Sequence, residues 1–411
     1  MKAKYLYPGL FILIVFLTFT YISITFEGYK VDEKLNHVPV IEAMDKDGFF
    51  NTIVSENYEA ANTPLPYLFA YLPMKLFGIE PSIIYLRIVN AAVALVTIII
   101  LILILIKSNS KNGYLIVLTV LFYPYFLKTS FTYYMAIYGV LFYFLFIYSL
   151  SFENKYRWLW AGLSLAGATL SQQFYFVIFP AAFYLLYIYD YKNNIKGLIT
   201  RGLMLGLPTL VLALPLFIVW GGLTHPDYSF HKVSFDITKI TAIAVIIGGL
   251  FIPFLAVIYK KVISKEMLYF LTAGLLFAVF FLPGFAQYGG IGSITGFTWH
   301  ALELLARQHY LLKTIGATFL FAVTLFSVSE LFKMIEDKLD KILFLNLISF
   351  FAGFLINETL MERHLLPLAL TIFILSMRKI REKYIVYLTT LFYMAFGSYY
   401  FYYYLYIHDT F

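Results

Sequence analysis

Asp32 and Glu33 stand side by side a few residues beyond the first long apolar run, with His37 and Pro39 close behind. Carboxylates at a lipid border are costly to place and mark functional sites by default. Adjacent side chains at a helix exit point different ways, so one of the pair is expected to face a cleft. There it could take a proton from a hydroxyl as a general base. The competing reading is a solvated acidic loop that only helps set topology. Two further polar islands, Arg307-Gln308-His309 and Glu362-Arg363-His364, lie where later loops re-enter apolar sequence. Arginine grips a phosphate through paired N–H donors; the competing reading is snorkelling, with the stem in lipid and the head in water. A third island follows Gly221-Gly222 and holds His225, Asp227 and His231. Asn357-Glu358-Thr359 fits a glycosylation acceptor, at a level expected by chance.

The elements that must carry these islands are apolar. Of 411 residues, 61% are hydrophobic and 13% charged, with a mean hydropathy of +0.81, far above a soluble domain. The fold class expected is all-α integral membrane, a polytopic bundle of about thirteen transmembrane helices, because apolar runs recur near the length needed to cross a bilayer. Their approximate ranges are 5–26, 82–106, 113–128, 131–151, 157–170, 174–190, 197–220, 238–259, 266–283, 310–332, 341–357, 364–377 and 384–405. A re-entrant or interfacial segment over 64–78 precedes the second run. The first run is too long for a signal core and no small-residue cleavage site follows it, so it reads as a retained anchor. The alternating pattern of a lipid-embedded barrel is absent. The chain reads as a single transmembrane domain, 1–411, with an extracytoplasmic catalytic loop over 27–80.

Charge orients the bundle. With a cytoplasmic N-terminus, 19 of the 30 Lys and Arg fall in seven short inside stretches, in accord with the positive-inside rule. The net charge of +7 belongs to that rim and needs no nucleic acid. Residues 27–80 instead carry nine Asp or Glu against four Lys, and all seven His fall outside. The chemistry is expected on that face, in a multi-pass cell membrane of a prokaryote, or an endoplasmic reticulum membrane in a eukaryote. The absence of Cys removes disulfides and thiolate chemistry. No Walker A loop, dinucleotide fingerprint or HExxH helix is present. The Tyr-rich stretches 122–134 and 398–406 read as interfacial belts.

These islands resemble the GT-C superfamily of polytopic glycosyltransferases that use polyprenyl-phosphate sugars, and most of all the dolichyl-phosphate-glucose α-1,2-glucosyltransferases. That family's M-D-E-x-x-H-x-P is similar to Val31-Asp32-Glu33-Lys34-Leu35-Asn36-His37-Val38-Pro39, with one more residue here between Glu33 and His37. Its W-D-P-x-x-T-T-L-P resembles Tyr58-Glu59-Ala60-Ala61-Asn62-Thr63-Pro64-Leu65-Pro66, and its G-G-I-x-x-G-D-x-S-x-H resembles Gly221 to His231. Arg307-Gln308-His309-Tyr310 is similar to its R-H-Y, one place out of register, and Arg363-His364-Leu365-Leu366-Pro367 to the superfamily's R-Y-x-L-P.

The resemblance implies inverting transfer of a hexose, glucose or mannose, from a polyprenyl-phosphate carrier to a lipid-linked glycan or protein acceptor by a single displacement. Asp32 is then the first candidate for the base and Glu33 the second. Departure of the phosphate needs preplaced cations, for which Arg307, His309, Arg363 and His364 are the candidates. His37, Glu59, Asp227, His231 and Glu362 would position sugar or acceptor. No cofactor is expected; a divalent cation on a carboxylate–His site is compatible but not required. The alternative class is a secondary transporter or lipid-linked-sugar flippase. Transporters concentrate ionisable groups and broken helices at the midplane in repeated halves, whereas here the polar islands gather on one face.

Overall fold

The computed structural model describes residues 3–58, 60, 62–151, 153–190, 195–226, 235–254, 265–283, 294–355, 360–380 and 382–407. The described chain is helical nearly throughout, and every apolar run expected from the sequence carries a helix. By length and apolarity, four helices could cross a membrane among the described residues: Tyr7–Thr25, Ile83–Lys107, Ile195–Trp220 and Tyr310–Lys333. A fifth counts if Gly113–Leu121 and Pro124–Phe131 are taken as one bent span. Lys338–Leu355 and Lys383–Tyr402 reach 18 and 20 residues without the same apolarity, and the remaining helices are shorter. The chain forms two compact units, 1–229 with 393–411, and 230–392.

The first unit begins with α1 (Ala3–Thr25). A π-helical turn, Glu33–His37, leads directly into α2 (Val38–Asp47), and α3 (Phe49–Ile53) follows Gly48. The segment expected to be re-entrant is α4 (Leu65–Phe77), started by Pro66 in its first turn and ended by Gly78 in the left-handed conformation. The long α5 (Ile83–Lys107) is capped by Ser82, whose hydroxyl accepts the Tyr85 amide at 3.2 Å.

The run expected as one span over 113–128 is broken. Helix α6 (Gly113–Leu121) and α7 (Pro124–Phe131) meet at 67°. Pro124 has no amide hydrogen to extend α6, and it forces Tyr123 into extended backbone at φ −64°, ψ 126°. Every residue of α7 is buried. The stretch 122–134 is therefore not an interfacial belt: Tyr123, Phe126 and Tyr133 are fully enclosed, because the bend turns α7 into the protein. The second aromatic stretch is divided, with Phe401 and Leu405 inside and Tyr399, Tyr402 and Tyr406 exposed.

Helices α8 (Ala136–Leu150) and α9 (Arg157–Ser171) then pack along their lengths, with α5 on α8 and α11 (Ile195–Leu212) on α9. Gly162 allows the last contact, since a Cβ there would press into the backbone of Met204 and Leu205. Helices α10 (Phe179–Asp190) and α12 (Leu214–Trp220) complete this part. The chain's last helix, Lys383–Tyr402, returns to this unit from Tyr393 onward. Gly397 there lies against the Phe122 carbonyl at the α6–α7 bend, where any side chain would collide.

The second unit centres on the Tyr310–Lys333 helix, flanked by α13 (Thr238–Phe251) and by Lys265–Phe281. Ile294–Thr295 and Leu360–Met361 form a short parallel bridge, Ile294 opposite Leu360. The Phe297–Gln308 helix and the turn Glu362–Leu365 both leave from that bridge. At the Lys333–Asp340 connection Asp340 is enclosed and bonded to Arg378 at 2.5 Å and Lys379 at 2.6 Å.

Candidate active site around Asp32

The adjacent carboxylates of Asp32 and Glu33 go to different places. Glu33 points inward and is buried. Its Oε1 accepts Arg87 Nε at 2.9 Å and the Tyr133 amide at 2.8 Å; its Oε2 accepts Arg87 Nη2 at 2.7 Å and the Lys30 amide at 2.9 Å. Arg87, on α5, uses its other donors on the carbonyls of Ser23 (2.9 Å), Phe26 (2.6 Å) and Gly28 (2.7 Å). All five guanidinium N–H groups are thus engaged, and the chain leaving α1 is bound to α5. A buried pair is tolerated only when its remaining donors and acceptors are met in this way. The four donors on Glu33 fill its acceptor sites.

One turn along α5, Asn90 holds the opposite wall. Its amide donates to the carbonyls of Thr129, Thr132 and Tyr134 at 3.1, 2.7 and 2.9 Å, and its oxygen accepts Tyr138 Oη at 2.8 Å. Asn90 thereby fixes the C-terminal end of α7. That end presents Lys128, whose Nζ is 3.5 Å from Asp32 Oδ2. The Asp32 side chain keeps 18% of its surface open, that of Lys128 9%. The Lys128 ammonium lies over the rings of Tyr404 at 4.4 Å and Tyr134 at 5.6 Å. Lys30 donates to the Leu405 carbonyl at 2.5 Å and sits over Phe26 at 4.5 Å.

The π turn explains how His37 joins this site. A π turn takes one additional residue into a helix without breaking it, and both Glu33 and His37 face inward from it. His37 Nδ1 is 2.9 Å from Tyr67 Oη, among the rings of Tyr133 and Tyr134. Tyr67 packs edge-on to Tyr58, whose ring is 5.6 Å from both Trp220 and His225. Trp220 donates to the Ile53 carbonyl at 2.9 Å. The islands at 32–39, 58–66 and 221–226, dispersed in sequence, converge in the first unit.

The remaining expected site residues are placed as follows. Glu59, Asp227 and His231 lie outside the described residues. Arg307 and His309 belong to the second unit and are exposed; His309 caps the following helix, accepting the Leu311 amide on Nδ1 at 3.1 Å. Glu362, Arg363 and His364 form the short turn after the Leu360–Met361 strand in the same unit. Among the described residues no three His, Asp or Glu converge to hold a metal ion. A cavity of about 510 Å³ opens between α8 and α9, lined by Phe142, Ser149, Asn154, Arg157 and Trp160 among others, without a carboxylate.

Sequence reasoning missed Arg87, Asn90, Lys128 and Lys30. The signal for three of them was present, as polar groups inside otherwise apolar runs.

A solved structure, ArnT from Cupriavidus metallidurans bound to undecaprenyl phosphate, is similar to this chain with a TM-score of 0.53 at 12% sequence identity. The match takes in 92% of this chain and 60% of that one, so the chain spans about three-fifths of ArnT's length. No protein-family model matches the sequence, and no curated protein matches it. The likeness is one of fold: among the described residues the chain is helical apart from the short bridge at Ile294 and Leu360, it carries helices long and apolar enough to cross a membrane, and it shares its fold with ArnT.

Proposed function

We propose that this chain is a GT-C-type glycosyltransferase that takes a hexose from a polyprenyl-phosphate carrier and passes it, with inversion, to a lipid-linked glycan or protein acceptor on the extracytoplasmic face. The observation that carries the reading is the division of the acidic pair: Glu33 saturated inside, Asp32 partly open beside an enclosed ammonium. The fold shared with a protein bound to undecaprenyl phosphate supports the carrier class.

In this reading Asp32 accepts the proton of the acceptor hydroxyl as its oxygen attacks the anomeric carbon. The bond from that carbon to the phosphate oxygen breaks, and the phosphate leaves with the electron pair. Lys128 orients Asp32 from 3.5 Å. Glu33 and Arg87 hold the frame. Arg307, His309, Arg363 and His364 remain the proposed cations for the leaving phosphate, and His37, Glu59, Asp227, His231 and Glu362 the proposed groups around sugar and acceptor. With the arginines supplying the positive charge, this step does not require a metal, and a divalent cation on a carboxylate–His site is compatible with it.

Purified protein in vesicles, given an undecaprenyl- or dolichyl-phosphate hexose and a lipid-linked glycan, is expected to transfer the sugar. Arg363→Ala should weaken donor binding about tenfold or more; unchanged donor affinity would remove Arg363 from the phosphate. Solute counter-flow without any transfer would replace the enzyme reading by the transporter one.

A further inference from the structure

The end of the described chain is built into the candidate site. Beyond the Lys383–Tyr402 helix, a π-helical turn, Tyr403–Ile407, brings the Leu405 carbonyl onto Lys30 and the Tyr404 ring between two ammonium groups. Lys128 Nζ is 4.4 Å from the centre of that ring, and Lys30 Nζ is 5.4 Å away. The Tyr404 ring runs parallel to that of Tyr400, their centres 6.4 Å and their planes 5° apart. Tyr400 packs in turn on Tyr125 of α7 at 5.8 Å. One helix turn earlier, Phe401 is wedged between Phe19 of α1 and Phe131 of α7 at 5.4 and 6.0 Å. A closed path therefore runs from α7 through Tyr125, Tyr400 and Tyr404 back to Lys128 on α7. A lysine has four rotatable bonds and many positions open to it. Holding its head over an aromatic face removes that freedom, since the ring's negative face attracts the cation.

We propose that Tyr404 is a positioning residue for transfer: acting through Lys128, it holds the ammonium against Asp32. The proposal rests on the reading of Asp32 as the base. The ring face does the holding. Tyr404→Phe therefore keeps the arrangement, and Tyr404→Leu, which fills much of the space without a π face, loses it.

Steady-state transfer and mass-spectrometric labelling of Lys128 by a water-soluble acylating reagent test this together. In Tyr404→Leu, kcat should fall about tenfold with donor KM within about twofold of wild type, and Lys128 labelling should rise several-fold. Tyr404→Phe should match wild type in both. If Tyr404→Leu does not survive extraction, fluorinated phenylalanines at 404, which weaken the ring face without changing its shape, should lower kcat and raise labelling stepwise. Unchanged labelling in Tyr404→Leu, or equal damage in Tyr404→Phe, overturns the proposal. If wild-type protein transfers no sugar, the reaction reading fails, and labelling alone then decides whether Tyr404 places Lys128.

Discussion

Two ion-pair networks, one in each unit, look alike on a list of charges and differ in what they leave open. In the second unit, Arg378 and Lys379 clasp Asp340, whose side chain is fully enclosed, while their outer partners Asp337 and Glu336 stand 49% and 76% exposed. In the first unit, Arg87 and Glu33 are both enclosed, and the neighbouring pair Lys128 and Asp32 is mostly enclosed as well. Charges that shade off into water anchor a connection between helices. A saturated pair that sits beside a second, incompletely covered carboxylate does something else: it makes a wall beside the proposed base. Density of charge alone therefore marks no site. Burial, saturation and one remaining opening together do.

The comparison can be broken first at the wall. Arg87→Met strips Glu33 of its guanidinium and frees three carbonyls, and breaking a buried pair from one side costs about 3–5 kcal/mol. The variant is expected to be extracted poorly and to melt well below wild type in detergent; wild-type melting would show that the latch does not hold the fold. Asn90→Ala removes the clamp on the end of α7, at roughly 1–3 kcal/mol for the polar groups left buried, and should lower both the melting temperature and transfer. Asp340→Asn should destabilise by a similar or smaller amount without touching the transfer rate of the folded fraction.

The rim network also has a pH signature. Burial pushes the Asp337 carboxyl up, but the Asp340 amide and the Arg378 guanidinium outweigh it and hold the group below its usual 3.8. A depressed value in the folded state means the contribution is present above the unfolded value and is lost as pH falls through the folded one. Acid unfolding followed at pH 5 and pH 3 should therefore diverge between wild type and Asp337→Asn, with the variant losing less on acidification. The smallest effect is expected at the exposed pair of Lys75 and Asp45, 2.6 Å apart: Asp45→Ala should leave melting unchanged.

Much of the helical layout was legible because apolar runs report themselves, and so were the islands at Asp32, Tyr58 and His225. Which carboxylate turns inward was not legible, since the choice is made by Arg87, 54 residues on, and by the Tyr133 amide, 100 residues on. The break in the third run could have been read from Pro124, which in the middle of an apolar run can extend no helix before it and can only start a new one. Lys128 could have been read as a charge inside an otherwise apolar run, but not its approach to Asp32, which the bend between α6 and α7 brings about. Tyr404 could not be told from an interfacial tyrosine, because a ring facing lipid and a ring facing an ammonium have the same composition. His37 was legible as a candidate but not its inward placement, which depends on the π turn absorbing the additional residue.

Two neighbouring acids divide the proposed duties, Asp32 as the base and Glu33 as the frame. Single-turnover transfer by Asp32→Asn, set beside Glu33→Gln with melting recorded for both, tests this division most directly. The expected result is wild-type melting and donor binding with no transfer in Asp32→Asn, and lowered melting in Glu33→Gln. Full transfer by Asp32→Asn, or a stable Glu33→Gln that binds donor and is dead, would contradict it.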